Sequence, residues 1–201
     1  MINSTRLVKT VSVACALGTM ALLAPIVSNA WGHGMTFINP FACNPSALSH
    51  PFARWADFAD YELAPGGDFK RSTWTLTRGA TLVRGSEPYA ATGTVNSSSL
   101  SLPTGSSAES PPMCVDLGYP SIRFFIAGEG SVAVNVVDGG LVIPVGVAVA
   151  GGEWSPSPVM LTSSPVLGLL SSGTAEVSLT FTSLSGDPQI DDVFVDPYCH
   201  G

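Results

Sequence analysis

Residues 175–182 read AEVSLTFT, and this strict alternation constrains the chain more than any other feature. Ala175, Val177, Leu179 and Phe181 fall on one side, with Glu176, Ser178, Thr180 and Thr182 on the other. That is the period of a half-buried strand. The same period returns with Ile122, Phe124 and Ile126, with Val132, Val134 and Val136, with Leu100 and Leu102, and with Trp74 and Leu76. A turn at Gly79 leads into a further run at 80–85. The runs 141–150 and 157–162 are apolar on both sides or broken by proline, which suits strands covered twice or lying at an edge. The stretch from Pro103 to Pro112 reads as a turn-rich crossing, and Asp138-Gly139-Gly140 as a compact turn. About seven to nine such strands, with no crossover helix between them, predict an all-β fold: an antiparallel two-sheet β-sandwich.

Composition agrees. Of 201 residues, 11% are charged, against roughly 25% in ordinary soluble proteins. Together with 21 glycines and 16 prolines, this argues against a helical bundle, a coiled coil or a charged disordered chain. The formal charge is -7, so the positive surface that phosphate contacts require is missing and nucleic acid is not an expected partner. Residues 1–30 read as a signal peptide: Arg6 and Lys9 precede the apolar run 11–27, and Ser28-Asn29-Ala30 supplies small residues for cleavage. The expected location is therefore secreted or cell-surface. Residues 31–56 are aromatic but aperiodic and are expected as an N-terminal strap; 57–201 form the sandwich domain. No segment of the mature chain is expected to cross a membrane as a helix, since the best candidate, 141–152, is short and contains Pro144.

Removing the leader takes Cys15 with it and leaves Cys43, Cys114 and Cys199. An exported chain favours disulfides. The preferred pairing is Cys43–Cys199, because domain termini often lie close and the closed loop would be long. Cys114, flanked by Met113 and Val115, would then be a buried free thiol; Cys43–Cys114 is the rival pairing. Cleavage after Ala30 would also expose Trp31-Gly32-His33, whose amine, backbone nitrogens and imidazole can form a square-planar copper or nickel site. An N-glycosylation triplet occurs at Asn96-Ser97-Ser98.

The closing run Gln189-Ile190-Asp191-Asp192-Val193-Phe194-Val195-Asp196 resembles the last strand of galactose-binding-like β-jelly-roll modules, a group that includes many carbohydrate-binding modules. Gly66-Gly67-Asp68-Phe69, then Trp74-Thr75-Leu76 and Ser99-Leu100-Ser101-Leu102, resemble the opening of such modules. The likeness spans roughly 57–197. It implies a jelly roll and a structural calcium held by Asp68 and by Asp191 or Asp192. Lys70 departs from the pattern, standing where an acid is common.

A sugar ligand needs an aromatic platform with hydrogen-bonding neighbours. Trp154, Tyr89 and Tyr119 lie beside glycine or proline and are the candidates, with Trp154 foremost; Trp74 alternates with Leu76 and is expected in the core. Arg84, Glu87, Asn96 and Arg123 are candidate polar contacts. No GxSxG elbow or catalytic triad is present, so the chain is expected not to be an enzyme. The leading expectation is a secreted, non-catalytic surface or structural protein, with a cell-envelope protein as its partner. The alternative is a carbohydrate-binding module that takes a glycan on loop aromatics, and the second alternative an extracellular hydrolase.

Overall fold

Alternating runs bury one edge of their side chains only if neighbouring strands satisfy the backbone, and here nearly every described segment does so. The computed structural model describes residues 47–116, 121–162 and 174–196, all within one compact unit, Ile38–Gly201. In chain order these residues form β1 (Leu48–Ser49), a 3₁₀ turn (Ala53–Trp55), β2 (Tyr61–Leu63), β3 (Thr75–Thr77), β4 (Thr81–Arg84), β5 (Ser98–Ser101) and β6 (Ser107–Glu109). They continue with β7 (Met113–Asp116), β8 (Ser121–Asp138), β9 (Leu141–Pro156), β10 (Met160–Leu161), β11 (Thr174–Gly186) and β12 (Gln189–Asp196). All pairings are antiparallel, and the protein is an all-β sandwich.

β8 organises the pairing. On one side it carries β12 along its first half and β11 along its second; on the other it runs beside β9. The β8–β9 hairpin closes through Gly139 and Gly140, both at positive φ (53° and 92°), as a two-residue turn that matches strand twist demands. β2 and β5 add to β12, β1 to β2, and β4 to β5; β6 and β7 add to β11, and β3 to β6.

Two cores result, on opposite faces of β8 and β12. Phe124, Ile126, Val134, Leu179, Phe181, Ile190 and Val193 belong to the larger, with Trp74 buried there as expected. Phe125 and Phe194 turn the other way and pack with Phe52 and Tyr61. Phe52 sits with its ring centroid 5.0 Å from Tyr61, 5.2 Å from Phe125 and 5.6 Å from Phe194.

Several details depart from expectation. The run with Ile122, Phe124 and Ile126 and the run with Val132, Val134 and Val136 are one strand: β8 continues through Gly128 and Gly130, both at positive φ. The crossing between Pro103 and Pro112 contains β6, because Ala108 reaches the core and both edges of the segment find partners, in β3 and β11. Cys114 is not a buried free thiol. Met113 and Val115 point inward on β7, so alternation turns Cys114 outward, where it is exposed. Cys43 and Cys199, like residues 1–30, Trp31-Gly32-His33 and Tyr119, lie outside the described residues. Among the described residues no helix is long and apolar enough to cross a membrane.

Candidate functional site

Three half-buried aromatic side chains from separate segments pack against the Phe52–Tyr61–Phe125–Phe194 cluster: Trp55 from the 3₁₀ turn, Tyr89 from the loop after β4, and Trp154 near the end of β9. Trp55 and Tyr89 are nearly perpendicular, with centroids 4.8 Å apart at 83°. Both rest on the Phe125 ring, at 5.5 and 5.6 Å. The Tyr89 hydroxyl donates to the main-chain oxygen of Trp154 at 2.6 Å, which ties two of the three sequence candidates together. The exposed guanidinium of Arg54 lies 5.1 Å from the Tyr89 ring centre and 5.9 Å from that of Trp55, within cation–π range. Apolar ring faces beside a fixed set of N–H donors form a surface suited to polyhydroxylated ligands.

Beneath the Tyr89 loop lies a cluster of buried acids. Glu87, Asp191 and Asp192 are each 0% exposed. Adjacent side chains of a regular strand point to opposite faces; here the register of β12 shifts between Asp191 and Phe194, and Asp192 takes a left-handed conformation (φ 44°). The Asp191 carboxylate accepts from Ser86 Oγ (2.6 Å) and from the main-chain N–H groups of Glu87 (3.0 Å) and Asp192 (2.9 Å). Asn96 Nδ2 donates to Asp192 Oδ1 (3.1 Å) and to the Asp68 main-chain oxygen (3.3 Å). Burial raises both aspartates above the usual carboxylate range; the neighbouring Asp191 and Glu87 add to the rise at Asp192. Asn96 Oδ1 and Asp192 Oδ2 are buried without a hydrogen-bond partner.

Asp68 enters this cluster by its carbonyl. Its carboxylate is ion-paired with Lys70 Nζ at 3.1 Å, the residue that departs from the family pattern. Among the described residues no three His, Cys, Asp or Glu side chains converge as a metal centre. The donors left over are a carboxylate and an amide oxygen, with the Asp68 carbonyl beside them, and such oxygen donors suit a hard cation.

The remaining polar candidates go elsewhere. Arg84 is exposed at the end of β4. Arg123 is ion-paired with Asp57 and stacks over Phe52, 4.6 Å from the ring centre. Asp57 also accepts from the Tyr61 hydroxyl at 2.9 Å and borders an open groove of about 350 Å³ with Tyr61, Ser121 and Asp196. Burial, then the bond to Asp57, pushes the Tyr61 hydroxyl up to about 12, above the ordinary tyrosine value. A raised folded-state pKa gives stability that is complete below the unfolded value and lost as pH climbs through the folded one. Urea midpoints should therefore fall between about pH 10 and 12, and the wild-type minus Tyr61→Phe difference should shrink over that window. A difference that is constant with pH would contradict the assignment.

Trp55 and Arg54 escaped the sequence reading because they sit in an aperiodic segment. The adjacent Arg-Trp pair was the available signal, but nothing local says which loops it meets.

Against known proteins, no family model matches the chain, and no curated protein matches it. Solved structures similar to it include the C-terminal family 6 carbohydrate-binding module of LamC, a marine laminarinase from Zobellia galactanivorans (14% identity, 62% of this chain and 93% of that one, TM-score 0.45). A second is CsCBM6-3 from Clostridium stercorarium in complex with cellobiose (14%, 62% and 87%, 0.42). A third is the E78R mutant of a family 29 carbohydrate-binding module (12%, 70% and 93%, 0.45).

Proposed function

We propose that the protein is a non-catalytic carbohydrate-binding module that takes a glycan on the Trp55–Tyr89–Trp154 platform. The observation that carries this reading is that half-buried Trp55, Tyr89 and Trp154 pack against one buried aromatic cluster, with the Arg54 guanidinium over the Tyr89 and Trp55 rings. The rings would pack against the C–H faces of a sugar, and the guanidinium would donate to its hydroxyls. A glycan array gives the test. Binding should appear in the wild type and fall at least about tenfold in Trp55→Ala and in Trp154→Ala. Silence across sugars, or binding indifferent to both substitutions, would overturn it.

Calcium is part of the proposal. Asp192, Asn96 and the Asp68 carbonyl are the residues that would hold it, and the partnerless oxygens of Asn96 and Asp192 support the fit. Bound there, the ion would offset the buried negative charge and cross-link β12 to two loops. With residues 1–30 acting as an export leader, the module would work outside the cytoplasm.

The surface-protein reading has one observation on its side. Leu141, Val142, Val147 and Val149 are each about half exposed or more along β9, an uncharged strip that a protein partner could cover. A reproducible protein partner together with silence across sugars would favour it.

A further inference from the structure

Besides the packing of the Tyr89 ring, the loop that carries it is held by hydrogen bonds to the acid cluster beneath it. Its first residues are held by Asp191, which accepts from Ser86 Oγ and the Glu87 N–H. Its middle is held by the Glu87 side chain: one carboxylate oxygen accepts from the Ala91 N–H at 2.8 Å, the other from the Tyr89 N–H. Its far contact is the Tyr89 hydroxyl on the Trp154 carbonyl. Glu87 thus grips both sides of the residue that presents the ring, and among the described residues no cationic side chain is ion-paired with it, with Asp191 or with Asp192.

Glu87, Asp191 and Asp192 are all fully buried, and the Glu87 N–H bonds Asp191 while its carboxylate holds the Tyr89 and Ala91 N–H groups, so a charge placed in the cluster acts on the side chain that positions Tyr89. A divalent cation at Asp192 and Asn96 would be such a charge. We propose that Glu87 is a positioning residue that couples cation binding in the buried cluster to the placement of Tyr89, so that loading the cluster orders loop 86–93 and thereby the platform above it. The inference rests on the platform reading for its functional meaning, though the coupling itself can be measured without any sugar. Linkage makes it reciprocal: whatever factor calcium adds to glycan affinity, the glycan adds to calcium affinity.

Glutamine at 87 separates a structural carboxylate from a merely space-filling side chain. Its amide has one acceptor oxygen, so it can serve Tyr89 N–H or Ala91 N–H, while its NH₂ meets the other donor. The proposed cation donors Asp192, Asn96 and Asp68 are untouched.

The experiment is hydrogen exchange of the whole protein with and without calcium chloride, alongside calorimetry with calcium alone. In the wild type, calcium should bind and slow exchange across 86–93 by about tenfold, while 131–137, paired with β9 and β11, changes little. In Glu87→Gln, calcium should still bind and the slowing at 86–93 should be lost. No calcium binding, no slowing in the wild type, or equal slowing in Glu87→Gln would each overturn the coupling. The wild-type arm alone can overturn it if the variant does not fold. A protein that shows the slowing but binds no sugar would sink the platform reading and keep the coupling; one that binds sugar without the slowing would do the reverse.

Discussion

Replacing Phe181 by alanine is expected to destabilise the protein by about 3–5 kcal/mol, read as a fall in the urea midpoint with little change in slope. The side chain is 0% exposed. Its ring lies edge-on to Phe124 at 5.0 Å between centroids and 5.5 Å from Trp74, so it joins β11 to two other strands' worth of core. Its cross-strand neighbours, Val134 on β8 and Ala108 on β6, are short and held by ladders on both edges, leaving little freedom to collapse into the gap. Phe181→Leu keeps most of the volume and should cost less than about 1.5 kcal/mol. A loss below about 1 kcal/mol for alanine would mean the core relaxes there, against this account.

Gly130→Ala is the second large effect, expected at about 2–6 kcal/mol from strain and overpacking together. At φ 119° the residue sits where side chains are strained, and a Cβ would stand 1.9 Å from the Ser185 carbonyl oxygen. The opposing Gly186 is equally crowded, its Cβ position 2.2 Å from the Glu129 oxygen. The two backbones meet where β11 slips register between Ser183 and Ser185, so neither can withdraw without opening the ladder. Gly79→Ala is the control: φ is 95°, but nothing lies within 4 Å, so only the backbone strain remains, about 1–3 kcal/mol. Equal midpoint shifts for the two substitutions would show that the close approach contributes nothing.

The fold was legible because alternation is a local signal. Val177, Leu179 and Phe181 are buried as their spacing requires, and so are Val132, Val134 and Val136. What defeats local reading is contact made by distant chain. Ser107–Glu109 looks like a turn until β3 and β11 flank it, and Gly128 and Gly130 look like breakers until a second backbone is seen against them. The site shows the same limit. Tyr89 and Trp154 stood out as loop aromatics, and Asp191 and Asp192 as an unusual pair, yet Trp55 lacked any periodic context. The register shift in β12 beside the two aspartates depends on its pairing with β8, and the Lys70 ion pair occupies the Asp68 carboxylate.

The β8–β9 hairpin is closed by a two-residue turn, whereas β12 must find β2 and β5 from far along the chain. Loop-closure entropy makes the first pairing fast and the others slow. The hairpin should therefore nucleate early, with the platform assembling only as the last strand docks, since Trp55, Tyr89 and Trp154 come from three remote segments. Fluorescence from those rings would then report the completion of folding, while exchange protection at Val132–Val136 would report its beginning.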